Sequence, residues 1–355
     1  HSPGLLLTVW IVSGVVTLLG ALSYGELAAM YPKAGGNYVY LREGISPLFG
    51  YLYGWTLFVV IQTGTIAAVA VAFARFTSVL WPALSPDVFS GLGTTVHFPQ
   101  PIGDVQPGVS PQRIFAIVSI ALLTWINVRG VRTAAFIQTS LTLIKTAALA
   151  TLILLGLTIG RNAAAIAANF GSNFWAGGGL SLAILPVVGA AMVGSLFSMD
   201  AWNNVGFASG ELKNPEKDLP FAMGAGVLTV TTLYVLANVG YLNVLPADAI
   251  AHAPQDRVGT AAMQAIFGPA GLYIMAIAIM ISTFGCNNGL ILSGARVYYA
   301  MAKDNLFFRS AADLHPMYKT PALALIVQAI WASVLCLSGT YGPLLNFVIF
   351  AACAC

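Results

Sequence analysis

The chain has 355 residues, of which 58% are hydrophobic and only 8% are charged, and its formal net charge is +3. Soluble domains carry about 25% charged residues, so this composition excludes a soluble domain and predicts a polytopic membrane protein. The small net charge gives no indication of nucleic-acid binding.

Stretches of about 20 apolar residues, the length needed to cross a bilayer, predict nine spans, the last of them incomplete. In chain order the spans are Gly4–Met30, Leu48–Trp81, Ile114–Val128, Ala134–Ile159, Leu180–Ser209, Phe221–Leu245, Ala270–Met301, Pro321–Ser338 and Leu344 onward. Several of them are longer than a bilayer requires, which implies that they tilt or that the helices extend into the loops.

The basic residues predict the orientation of these spans, because cytoplasmic loops carry an excess of Lys and Arg. Ten of the fifteen basic residues lie in alternate connections: Lys33, Arg42, Arg129, Arg132, Lys213, Lys217, Arg296, Lys303, Arg309 and Lys319. Three lie in the intervening connections and two within spans: Arg113, Arg161 and Arg257, then Arg75 and Lys145. The first visible span is therefore predicted to run inward from the outside. We expect a fragment that lacks one helix ahead of His1 and also lacks the C-terminal helices.

Two connections lie on the predicted external side of the membrane. Ser85–Gln112 is rich in Pro and Gly and predicts an irregular loop. Near the end of the second external connection, Ala261–Phe267 predicts a short helix across the mouth of a cavity.

The cysteines and histidines do not predict a metal or catalytic centre. The cysteines lie in apolar runs and are predicted to be packing residues: Cys286, Cys336, Cys353 and Cys355. The histidines lie at the terminus or in loops, with no pair of metalloprotease spacing: His1, His97, His252 and His315. We expect no cofactor, no metal and no enzymatic activity.

A polar cluster interrupts the fifth predicted span. The apolar run Leu182–Leu196 is followed within about one turn by Asp200, and then by two asparagines. A carboxylate in a span costs roughly 2.5 to 3.5 kcal/mol, and Asp and Asn side chains compete for backbone hydrogen bonds. A helix interrupted over Phe197–Asn204 is therefore predicted, with carbonyls available to a ligand. The alternative is an ordinary span that ends at Phe197, with the polar residues in the headgroup region.

Two longer motifs resemble those of a known family. The first, Tyr24–Glu43, reads YGELAAMYPKAGGNYVYLRE, and the second, Phe197–Pro220, reads FSMDAWNNVGFASGELKNPEKDLP. Both are similar to signatures of the amino acid-polyamine-organocation superfamily, and within it of the L-type amino acid transporters and their bacterial relatives. The usual form of the second motif is close to FxYDGWNN, an acidic pair and KNPxRNLP. This chain departs from it at Met199, Ala201 and Gly210.

The resemblance implies the LeuT-type fold, an all-α membrane architecture of two inverted five-helix repeats whose first and sixth helices are unwound at mid-membrane. The nine spans would be helices two to ten, in a single transporter domain that covers residues 1–355. The glycine-rich break of the first helix, which would hold the substrate carboxylate, would precede His1.

In the remaining half of the site, the resemblance implies a set of substrate-binding residues. The carbonyls of Phe197, Ser198 and Asp200 lie at the negative end of a half-helix, which suits the ammonium group of an amino acid. The ring of Phe197 would close over the ligand, although packing is the commoner role of a Phe in a span. Trp202 and Asn203 would flank the side-chain end of the pocket, and the alternative role of this Trp is an interface anchor.

The resemblance also implies a replacement for an ion site. Lys145 would occupy the space in which sodium-coupled relatives bind an ion, and Ser282 and Thr283 could accept a hydrogen bond from its ammonium group. The alternatives are that Lys145 snorkels to the inner surface and that the two hydroxyls bond their own backbone.

Together with the apolar spans, the resemblance implies secondary active transport of L-amino acids across the plasma membrane by alternating access, as sodium-independent exchange. The alternative is proton-coupled symport with Asp200 or Glu26 as the titrating group. The sequence lacks the nucleophile, base or metal set that a membrane-embedded enzyme would need, and it lacks the repeated polar helix face that a channel would need. The predicted partners are an amino acid substrate and the lipid bilayer, and a single-span partner subunit stays an open question.

Overall fold

The computed structural model describes residues 2–89, 96–97, 104–105, 107–172, 174–175, 185–254, 257–338 and 348. The α-helices are α1 (Pro3–Met30), α2 (Asn37–Gly44), α3 (Pro47–Thr56), α4 (Gln62–Leu80), α5 (Pro111–Val128), α6 (Val131–Leu157), α7 (Ala163–Phe170), α8 (Leu185–Ser198), α9 (Pro215–Val244), α10 (Ala247–Ala251), α11 (Val258–Phe267), α12 (Ala270–Lys303) and α13 (Ala322–Ser338). Further elements are a π-helical turn, Leu57–Ile61, two 3-10 helices, Trp202–Glu211 and Arg309–Ala312, and the strands β1 (Val96–His97) and β2 (Asp104–Val105).

Seven helical stretches of the described chain are long and apolar enough to cross a membrane. They are Pro3–Met30, Pro47–Leu80, Pro111–Val128, Thr133–Leu157, Leu185–Glu211, Pro215–Val244 and Ala270–Lys303. They match the first seven predicted spans, which confirms the all-α membrane architecture. The eighth predicted span is α13, an apolar helix of 17 residues, and the ninth lies outside the described residues apart from Val348.

The two predicted external connections contain more order than predicted. Within Ser85–Gln112, β1 and β2 pair antiparallel, and α5 already begins at Pro111. The hydroxyl of Ser110 accepts a hydrogen bond from the backbone N–H of Arg113 at 3.2 Å, which caps α5, and Pro fits the first helical position. The short helix predicted over Ala261–Phe267 is confirmed as α11, which starts three residues earlier.

The Cα positions divide the chain into two compact units. Unit 1 comprises His1–Glu26, Ile144–Trp202 and Pro220–Ala278, and unit 2 comprises Leu27–Leu143, Asn203–Leu219 and Ile279–Cys355. Each unit is built from segments distant in sequence, so each core depends on contacts that no local pattern reveals.

In unit 1, small residues allow the helices to approach closely. A Cβ atom on Gly156 of α6 would lie 3.0 Å from the Cα of Gly240 in α9. A Cβ atom on Gly14 of α1 would overlap the Cγ2 of Thr231, also in α9. Such contacts are typical of membrane helices, where packing of small residues replaces the hydrophobic effect. Helix α9 is therefore the element on which α1 and α6 pack.

In unit 2, a chain of side-chain amides links α5, α6 and α12. The Nδ2 of Asn127 donates to the Oδ1 of Asn288 at 2.9 Å, and the Nδ2 of Asn288 donates to the Oε1 of Gln138 at 2.9 Å. Asn127 and Asn288 are 1% and 0% exposed, and burying such amides without partners would be destabilising. The network therefore fixes the relative placement of these three helices.

Backbone carbonyls of Phe58 and Val59 in the π-helical turn Leu57–Ile61 accept hydrogen bonds from side chains. Thr63 donates to the carbonyl of Phe58 at 2.6 Å, and the indole of Trp331 in α13 donates to the carbonyl of Val59 at 2.8 Å. In a π turn the backbone hydrogen bonds join residues five apart instead of four, so some carbonyls lose their usual α-helical partner. Side-chain donors of this kind satisfy carbonyls that would otherwise be buried without a partner.

Asp304, which follows the last residue of α12, holds α2 in place through two side-chain contacts. The Asp304 carboxylate pairs with Arg42 and accepts a hydrogen bond from the hydroxyl of Tyr38 at 2.7 Å. Burial raises the pKa of Tyr38, with Arg42 acting in the opposite direction. The Tyr38 hydroxyl therefore stays protonated and available as a donor at neutral pH.

Two sequence-based assignments are wrong. Arg296 is not a loop residue, because it lies inside α12 and is only 3% exposed. Cys286 is exposed on α12 and is not a packing residue. Cys336 is buried with its Sγ 3.7 Å from the carbonyl oxygen of Ala67, as predicted for a packing residue, and the other two cysteines lie outside the described residues.

Candidate functional site

The predicted helix interruption is present and is shorter than predicted. Helix α8 ends at Ser198, Met199–Ala201 leave the helical path, and the 3-10 helix Trp202–Glu211, here called the 3-10 segment, follows. The stretch Leu185–Glu211, which includes the interruption, has the length and hydropathy of a membrane span. The interruption therefore lies within a candidate span.

The backbone at Ala201 has a conformation that favours glycine, the residue of the usual family motif. Its φ is +67°, in a region that non-glycine residues rarely adopt. The usual family form has glycine at this place, which tolerates positive φ without steric cost. Alanine at this φ stores strain on the order of 1–3 kcal/mol.

Two of the three carbonyls predicted to be free are hydrogen-bonded. The carbonyl of Phe197 accepts from the backbone N–H of Asp200 at 3.2 Å, and the carbonyl of Ser198 accepts from the hydroxyl of Tyr234 at 3.2 Å. The prediction missed these bonds because the chain forms a turn at the break and α9 brings a tyrosine to it. Each oxygen keeps one lone pair for a further donor. The Asp200 carbonyl accepts no hydrogen bond from the described part of the chain.

Buried contacts anchor the break within unit 1. Met199 is 4% exposed, and its Sδ lies 4.0 Å from the Oγ1 atoms of Thr17 in α1 and Thr231 in α9. The hydroxyls of Ser13 and Ser195 are 2.6 Å apart. Met199, which stands where the family has an aromatic residue, is therefore a core side chain at the break.

Trp202 packs on α1. Its ring meets Tyr24 edge to face, with centroids 5.3 Å apart and an interplanar angle of 89°. A Cβ atom on Gly20 would lie 3.5 Å from the indole. Edge-to-face contacts of this kind fix the orientation of a ring, so α1 holds the indole in place beside the break.

The remaining predicted substrate-binding residues differ in accessibility. Phe197 and Asn203 are half-buried, whereas Ser198 and Asp200 are exposed. The Ser198 hydroxyl donates to the carbonyl of Gly194 at 2.8 Å, so its lone pairs remain available as acceptors. The break therefore presents a carboxylate, a hydroxyl and an aromatic ring within four consecutive residues.

In unit 2, the 3-10 segment lies against the loop of the first motif. The N–H of Gly35 donates to the carbonyl of Phe207 at 3.1 Å, and the Ser209 hydroxyl donates to the carbonyl of Lys33 at 2.5 Å. The fully buried ring of Phe207 covers Gly36, where a Cβ atom would lie 2.7 Å from the ring carbon Cδ1. The two motifs that carry the family resemblance therefore contact each other.

Lys145 lies in the middle of α6 and is half-buried. Since α6 is Val131–Leu157, the lysine is about 21 Å and about 18 Å from the two helix ends at 1.5 Å per residue. A lysine side chain cannot bridge that distance, which disfavours snorkelling to the inner surface. Its role in place of an ion stays a prediction.

Ser282 and Thr283 lie in α12 and are half-buried. The Thr283 hydroxyl donates to the carbonyl of Ile279 at 2.7 Å, which is the backbone bonding named as the alternative. Its oxygen can still accept a hydrogen bond. Lys145 belongs to unit 1 and the two hydroxyl residues belong to unit 2, so their pairing stays a prediction.

Sequence reasoning missed two residues of this region. Tyr234 stands near the middle of α9 and caps the Ser198 carbonyl while its ring packs edge to face on Trp10 at 5.3 Å. Arg296 pairs with Glu211, the last residue of the 3-10 segment, at 3.0 Å. For Arg296 the signal was a charge within an apolar run, since such residues are rarely unpaired in membrane proteins.

A sequence model of the family described as amino acid permease matches residues 1–354. The chain belongs to the amino acid permease family. The serine/threonine exchanger SteT of Bacillus subtilis (strain 168) is 31% identical to this permease over 346 residues, 96% of this chain and 70% of that protein. The human large neutral amino acids transporter small subunit 2 is 31% identical over 358 residues, 98% of this chain and 60% of that protein. The mouse b(0,+)-type amino acid transporter 1 is 27% identical and covers 99% and 66%. The chain thus spans about two thirds of the length of such relatives.

Membership confirms the superfamily to which the two motifs pointed. It is consistent with the LeuT-type fold, and it places this permease among multi-pass membrane proteins whose relatives are transporters.

Proposed function

We propose that this permease exchanges L-amino acids across the plasma membrane by alternating access, and that the amino acid binds at the break Met199–Ala201. The observation that carries the proposal is the interruption of a span at residues that are partly accessible. Non-helical backbone at membrane depth is tolerated where it lines a cavity or is buried in protein. Such a break is a suitable place for a small zwitterion.

Each residue of the break would have a distinct role. The Asp200 carbonyl and the spare lone pairs on the carbonyls of Phe197 and Ser198 would accept hydrogen bonds from the ammonium group. The ring of Phe197 would cover the ligand and exclude water. Trp202, oriented by Tyr24, would border the substrate side chain together with Asn203. Residues 1–355 would act as a single transporter domain.

Exchange is expected as the transport mode, because the relative SteT is named as an exchanger. Vesicles that contain the full-length protein and are preloaded with unlabelled amino acid should take up labelled amino acid several times faster than empty vesicles. Protein-free vesicles give the background. Equal rates in preloaded and empty vesicles would contradict exchange.

Proton-coupled symport is the second candidate, and the exposed carboxylate of Asp200 within a span favours it. Under symport, an inward proton gradient would drive accumulation in empty vesicles. Under exchange, the same gradient would leave the rate unchanged.

Transport is expected to be independent of sodium. The reason is Lys145, a fixed cation in the middle of α6, which would fill the place of the ion. Replacement of external sodium by choline should leave the initial rate of labelled uptake unchanged at every substrate concentration. Loss of most of the uptake in choline would contradict this role of Lys145.

The human relative is named as a small subunit of a transporter. This name is the reason to look for a single-span partner subunit of this permease by co-purification from its native membrane.

A further inference from the structure

The 3-10 segment needs contacts with other parts of the chain to keep its conformation. It runs for ten residues, whereas 3-10 helices rarely exceed three or four residues because their hydrogen bonds have poorer geometry. A run of this length must therefore be held by tertiary contacts.

Unit 2 supplies such contacts at two places. The middle of the 3-10 segment is held by the loop that follows α1, through the carbonyl of Phe207 and the hydroxyl of Ser209. Its end is held by α12, where the Nε of Arg296 donates to the Oε1 of Glu211 at 3.0 Å. The second contact is the only ion pair of the segment among the described residues.

The two partners of this ion pair have unequal environments. The Arg296 side chain is 4% exposed and that of Glu211 is 41% exposed. The guanidinium also donates to the carbonyl of Leu292, and its Nη2 has no partner in the described part of the chain. Gly210 offers no second carboxylate beside Glu211. Separation of the pair would therefore leave a buried charge without compensation, while the carboxylate would reach water freely.

The geometry also separates this pair from the ligand site proposed above. Glu211 lies eight residues beyond Asn203 in the 3-10 segment, which corresponds to about 16 Å at 2.0 Å per residue. Glu211 would therefore not touch an amino acid bound beside Asn203. The influence of the ion pair on transport would pass through the position of the segment.

We propose that Arg296 is a positioning residue that, through Glu211, clamps the end of the 3-10 segment and thereby sets the rate of the conformational step of transport. The inference rests on the proposed function, since it concerns the same carrier. Loss of the clamp lowers the maximal exchange rate and leaves the apparent affinity for the amino acid nearly unchanged.

The test is a saturation curve of amino acid exchange for the full-length protein in vesicles, with rates normalised to the amount of folded protein. For Glu211→Gln we expect the maximal rate to fall roughly tenfold, the size of effect typical of losing a charged hydrogen bond, with KM within about twofold of wild type. Arg296→Lys keeps the cation but loses the planar fork. The maximal exchange rate of Arg296→Lys should lie between that of wild type and that of Arg296→Gln.

Glu43→Gln is the matched control. The Glu43 side chain is 43% exposed, and its partner is the neighbouring Arg42, so the same substitution there should leave the exchange curve unchanged. A maximal rate per folded Glu211→Gln protein equal to that of wild type would overturn the proposal. A rise in KM at unchanged maximal rate would also overturn it, because it would place the pair in the binding site. Failure of the wild-type protein to exchange amino acids would instead refute the proposed function.

Discussion

Replacement of Gly36 by alanine is expected to destabilise the protein by about 2 to 6 kcal/mol. Two effects add at this position. Gly36 has a φ of +48°, and a side chain held at positive φ outside the usual regions costs on the order of 1–3 kcal/mol. The new Cβ would also lie 2.7 Å from the buried ring of Phe207, and overpacking of a core typically costs a further 1–3 kcal/mol or so.

Two other glycines separate these effects. Gly268 has a φ of +61° and no atom within 4 Å of its Cβ position, so Gly268→Ala adds backbone strain alone. Gly44 has neither positive φ nor a close neighbour, so Gly44→Ala should change stability by less than about 0.5 kcal/mol. Thermal unfolding of the purified variants should rank them with Gly36→Ala least stable and Gly44→Ala most stable. Equal losses for Gly36→Ala and Gly268→Ala would contradict a tight contact between Gly36 and Phe207.

The spans and the helix break were predictable because their causes are local. Hydrophobic runs of membrane length specify the helices whatever their neighbours are. The cluster around Asp200 interrupts its helix through the cost of a charge in a span and through competition for backbone bonds. The positive φ at Ala201 could also have been inferred, since the family form has glycine there.

The supporting contacts were not predictable, because they join residues far apart in the chain. Arg296 and Glu211 are separated by 85 positions, so a charge within an apolar run indicates that Arg296 has a partner but does not identify that partner. The carbonyl of Ser198 is bonded by Tyr234, which lies 36 residues away. The sequence indicated which backbone carbonyls lose their helical partners at the break. The local turn and the packing of α9 determine which of these carbonyls accept other hydrogen bonds.

Phe197→Ala is expected to weaken amino acid binding roughly tenfold or more. Burial of a phenylalanine ring contributes about 1.5 to 3 kcal/mol, and each 1.4 kcal/mol corresponds to about a factor of ten in affinity. Phe197 is half-buried in the structure, so part of its area remains to be buried when the ring closes over a ligand. The substitution keeps the Phe197 carbonyl and its bond from Asp200, so the break itself should survive.

Two variants control for the loss of a ring. Phe197→Trp keeps an aromatic lid and should retain appreciable affinity. Phe115→Ala removes an equally half-buried ring, which stacks on Phe73 at 5.6 Å in unit 2. Phe115→Ala should lower thermal stability and leave the affinity unchanged.

Binding of the amino acid at the helix break is tested most directly by the dissociation constant of a labelled substrate for the purified full-length protein. Wild type and Phe115→Ala should bind it equally, and folded Phe197→Ala should bind it about tenfold more weakly. A Phe197→Ala protein that is normally folded and binds as tightly as wild type would show that the ring is a packing residue and would contradict binding beneath it.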